Sequence, residues 1–61
     1  MNFLDKIARL VREQGIEVDS VSNVAQKEDG ICVWYLPTKY SSIHHTYILK
    51  NYNIFTIIDS L

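Results

Sequence analysis

From Asn2 to Gln14 the apolar positions fall at helical spacing. Phe3, Leu4, Ile7, Ala8, Leu10 and Val11 share an arc about 160° wide, while Asp5, Lys6, Arg9, Arg12 and Glu13 take the other side. Asn2 suits the N-cap, Asp5 suits the positive end of the helix, and Gly15 suits the left-handed position just past its end. After Gly15 the period drops to two. Ile16 and Val18 alternate with Glu17 and Asp19, and β-branched residues continue to Val24, which predicts a strand. Gln26 to Gly30 reads as a turn with Asp-Gly at its end. Ile31 to Leu36 is apolar throughout and predicts a central strand, closed by Pro37, which cannot donate to a ladder. Thr38 to Ser42 is read as a loop. Ile43 to Leu49 and Ile54 to Ile58 are read as two more strands, joined by Lys50 to Asn53 as a hairpin turn with an Asn available for a left-handed conformation. The expected fold is a single α+β domain spanning residues 1–61. It has two layers, an N-terminal helix packed on a four-stranded antiparallel meander, in the order α-β-β-β-β.

That pattern carries a mismatch of areas. One helix covers one face of a sheet, yet the central strand is apolar on both faces. Ile31, Val33 and Tyr35 point one way, and Cys32, Trp34 and Leu36 the other. With a three-residue turn at Asn51 to Asn53, Ile43, Tyr47, Leu49, Phe55 and Ile57 share one face and Ile48, Ile54 and Ile58 the other. Antiparallel sheets with a wet face normally alternate apolar and polar residues. An uncovered apolar face marks an interaction surface. The residues expected at a partner or dimer interface are Trp34, Tyr35, Ile48, Ile54 and Ile58, or else the edge of a terminal strand serves.

Length sharpens this reading. A chain of 61 residues buries only about 60% of its unfolded surface, so its stability is marginal. Small domains add disulfides, metals or a partner chain. With one cysteine there is no internal disulfide, and the thiol suits a reducing compartment. The net charge of −1 gives no field to attract nucleic acid or an anionic membrane, and it is too weak for a DNA mimic. No signal peptide is visible, and the longest apolar run, Ile31 to Leu36, is too short to span a bilayer. A cytoplasmic protein is expected. The initial Met and the lack of a low-complexity tail read as a complete small product.

Candidate chemistry is sparse. His44 and His45 are adjacent, so in a strand they diverge to opposite faces and do not chelate one ion together. No C-x-x-C or H-x₃-H spacing accompanies them. The bland reading places His45 on the face of Ile43, Tyr47 and Leu49, and His44 beside Thr46. An H-x-T is present once, whereas families that use it on phosphoesters carry two in a larger chain. Ser41-Ser42-Ile43-His44-His45-Thr46-Tyr47 resembles the Gly-Ser-His-His-aromatic stretch of the small HicA-type ribonuclease toxins, which also open on a helix followed by strands. The resemblance implies an RNA-cleaving enzyme with a histidine base. It covers a few residues. The family's motif comes soon after the helix, its Gly is missing here, Ile43 interrupts the match, and the family ends in a helix where a strand is expected here.

Cys32, in an apolar strand, reads as a small hydrophobe. Lys6, Arg9 and Arg12 recur every three residues, but Asp5 stands four before Arg9 and Glu13 four after it, so the stripe is read as self-neutralised. The expectation is a non-catalytic protein with no cofactor and no metal. It would bind another protein, or itself as a homodimer, as a regulator or inhibitor of the kind phages aim at host machinery. The alternative is a small nucleic-acid-binding protein using Trp34, Tyr35 and the helix cations, with the HicA-like ribonuclease third.

Overall fold

The N-terminal helix forms where the apolar spacing places it. A computed structural model describes residues 2–39 and 42–61, and in it α1 runs Phe3–Glu13. Asn2 is the N-cap, its side-chain oxygen accepting from the Asp5 amide at 2.9 Å. Gly15, at φ 90°, takes the left-handed turn that ends the helix, where a β-carbon would be strained. Ile7, Ala8 and Val11 are buried, and Phe3, Leu4 and Leu10 pack against the same core at its margin. The linker to the sheet is pinned by Arg12, whose guanidinium donates to the carbonyls of Val18 (2.9 Å) and Asp19 (3.1 Å).

Three strands follow: β1 (Ser20–Lys27), β2 (Gly30–Leu36) and β3 (His45–Lys50). They form an antiparallel meander in the order β1-β2-β3. β1 starts later and ends later than the period of Ile16 to Val24 suggests. The strand is also irregular between Val21 and Asn23. Val21 lies opposite Tyr35 and Asn23 opposite Trp34, so Ser22 is an extra residue, and its hydroxyl donates to the Trp34 carbonyl at 3.2 Å. The bulge flips the alternation of β1. Val24 and Gln26, rather than Asn23 and Ala25, therefore share a face with Val21. The loop expected over Thr38 to Ser42 includes Tyr40 and Ser41, which lie outside the described residues.

The expected fourth strand, Ile54 to Ile58, is a helix. α2 runs Ile54–Asp59, so the element order is α-β-β-β-α and the sheet has three strands rather than four. Two local features override the β-branched composition. Asn51 adopts φ 68°, as an Asn can, but the turn leads out of the sheet instead of back along it. Asn53 then caps the helix, its side chain accepting from the Phe55 amide at 2.8 Å.

A side chain from the far edge of the sheet holds this helix in place. Gln26 donates from Nε2 to the carbonyls of Gly30 (3.1 Å) and Tyr52 (3.3 Å), while its Oε1 accepts from the Ile54 amide at 2.8 Å. Both helices bury apolar residues in one core with the same sheet face. Ile7, Ala8 and Val11 of α1 and Ile57 of α2 join Val18, Val21, Ile31, Val33, Tyr35 and Leu49. Each Val, Leu or Ile among them contributes about 1.5–3 kcal/mol by leaving water.

Candidate functional site

With two helices on one face of the sheet, the other face is the candidate site. Its residues follow from the register, because cross-strand partners point the same way. One row is Asn23, Trp34 and Thr46. The next is Ala25, Cys32 and Ile48, and the last is Lys27, Gly30 and Lys50. Leu36, opposite Ser20, extends the face at the other end. Ala25, Cys32, Trp34, Leu36 and Ile48 are half-buried, and none of them belongs to the core cluster or packs against it. Among the described residues no helix or strand lies over them. They shield one another sideways and leave a flat, largely apolar floor with the ring of Trp34 on its central strand.

The expected interface residues separate accordingly. Trp34 and Ile48 lie together on the open face. Tyr35 points the other way and is buried, 8% exposed, in the core. Ile54 and Ile58 belong to α2 and not to a strand, so they do not join Trp34. Ile54 packs against the core, and Ile58 is 46% exposed beside Phe55, which is 73% exposed. Cys32, read earlier as a packing residue, sits in the middle of the open face as a free thiol. Sequence reasoning did not assign Lys27 and Lys50 to the face. The signal that places them is the bulge at Ser22 together with the Lys27, Gly30, Lys50 alignment.

The histidine pair lies at the surface. Both are exposed, and His45 opens β3 with its ring 5.7 Å from that of Tyr35, tilted by 55°. Among the described residues no three His, Cys, Asp or Glu side chains gather as a metal-binding group. The closing helix matches one element of the HicA-type pattern, but the histidine pair stands at the start of the third strand and not near α1. The helix cations also part ways. Arg12 is engaged with backbone carbonyls, and Lys6 and Arg9 lie on α1, remote from Trp34 on the opposite side of the sheet. A groove lined by Gln14, Tyr47, Ile48, Leu49, Lys50 and Tyr52 runs where α1 ends beside β3, open to solvent.

Among the described residues no helix is long and apolar enough to cross a membrane. No family model matches the chain, and no curated protein or solved structure is significantly similar to it.

Proposed function

We propose that this protein acts without catalysis, by docking another protein on the open face of its sheet. The observation that carries the reading is the set Ala25, Cys32, Trp34, Leu36 and Ile48, which share one face with no helix over it among the described residues. A flat apolar surface with a central tryptophan is the kind that supplies binding energy when a partner excludes water from it, since truncating such a residue often costs about 2 kcal/mol or more. A regulator or inhibitor of a larger partner fits a domain of 61 residues with its chemistry confined to a surface.

The test is affinity capture from a cell lysate with three baits. Proteins held by the wild type should be lost from Trp34→Ser and retained by Arg9→Ala, which alters the opposite side of the domain. Identical capture by wild type and Trp34→Ser would refute the assignment.

A further inference from the structure

The open face is electrically lopsided, and that narrows what it accepts. Its last row carries Lys27 on β1 and Lys50 on β3, flanking Gly30. No Asp or Glu lies on this face within the three strands; Glu28 and Asp29 belong to the turn beyond the row. At the opposite end the strand residues are uncharged, with Ser20, Asn23 and Thr46 beside Leu36 and Trp34, and Glu17 and Asp19 precede β1. Between the two ends the floor is mostly aliphatic, and Trp34 is its one large ring. The face therefore has an apolar centre and one cationic end.

We infer that the partner is a protein segment or surface, apolar over its centre, that sets carboxylates against Lys27 and Lys50. This deepens the docking reading above and rests on it. Three comparisons favour that occupant. A nucleic-acid strand draws its affinity from several phosphate contacts and from successive stacking rings. Two lysines, one tryptophan and an aliphatic remainder supply little of either. A second copy of this chain, stacked sheet to sheet by a two-fold axis along the strands, would bring lysines against lysines. With the axis across the strands, the lysines would meet the rows of Ser20, Asn23 and Thr46, whose strand residues carry no carboxylate. An acidic and apolar protein surface satisfies both parts of the face at once.

The geometry also sets a spacing. Gly30 is four residues from Trp34 along β2, so the lysine row lies about 14 Å from the tryptophan row. An extended peptide would carry its carboxylates about four residues from its apolar anchor.

The probe is a displayed library of random 12-residue peptides, selected on the whole wild-type protein. Each selected peptide is titrated while following the emission of Trp34, the chain's one tryptophan. The expected peptides are net acidic with an aliphatic or aromatic anchor, fail to bind Trp34→Ser, and bind the Lys27→Glu/Lys50→Glu protein at least ten-fold more weakly. Circular dichroism establishes that both variants are folded. Peptides that need Trp34 but show no acidic bias, or ignore the charge reversal, overturn the charge inference and leave the docking reading standing. Peptides indifferent to Trp34→Ser, or a selection that yields none, overturn both.

Two parallel measurements decide the other occupants. Oligothymidylate that binds more tightly than the peptides, with an affinity falling steeply in salt, would replace the protein partner by a nucleic acid. Wild-type sedimentation as a dimer that Trp34→Ser dissociates would replace it by a second copy.

Discussion

Trp34 and Tyr35 are neighbours in the chain and opposites in environment. Tyr35 is 8% exposed in the core, while Trp34 stands on the open face. Tyr35→Ala is expected to cost about 3 kcal/mol or more, enough to unfold a domain this small, because it leaves a cavity among Val21, Val33 and their neighbours. Trp34→Ser is expected to leave the far-ultraviolet circular dichroism and a cooperative thermal transition in place. Gly30 is constrained differently. A β-carbon there would collide with the Leu49 carbonyl, and its φ of 157° is one that side chains rarely adopt. Gly30→Ala should lower stability by more than about 1 kcal/mol, read as a lower urea midpoint at unchanged slope. His44→Ala and His45→Ala alter exposed side chains, and each should move stability by no more than about 0.5 kcal/mol in the same titration.

At the scale of elements, α1 was legible in full because three independent signals agreed: the Asn2 cap, the apolar arc and Gly15. β2 was legible because a short apolar run of β-formers bounded by Gly30 and Pro37 has few other uses. α2 was misread because Ile54, Ile57 and Ile58 satisfy a helical spacing as well as a strand composition, and six residues are too few for propensity to decide. The Asn53 cap was the signal that favours a helix. The docking of α2 depends on Gln26, 28 residues from Ile54 in the chain, and no local pattern encodes such a pairing. Gln26→Leu removes the acceptor of the Ile54 amide and the donor to Tyr52. It should speed amide hydrogen exchange in α2 well before that of β2, because each hydrogen bond of this kind contributes about 0.5–1.5 kcal/mol locally. The open face was legible as a surplus of apolar positions. Its membership was not, because the Ser22 bulge reassigns half of β1 and the loss of a fourth strand removes Ile54 and Ile58.

For the whole molecule, the two helices enclose one core from opposite ends of the chain. Ile57 is the sole buried residue of α2, beside the α1 residues Ile7, Ala8 and Val11. Truncation after Asn53 should therefore abolish the cooperative melting transition and not merely shorten the protein. The same architecture leaves the sheet with two unlike borders. β1 is interrupted by the bulge at Ser22, while β3 pairs regularly from His45 to Lys50 and offers its outer border without a break. Irregular borders resist the addition of further strands, and regular ones invite it. Lateral growth of this sheet is thus directional. Two chains joined border to border through β3 would make a six-stranded ribbon whose ends are both the interrupted β1, and extension would stop there. An accidental encounter between sheets is in this way biased toward a pair, which bears on how concentrated the protein can become before it forms fibres.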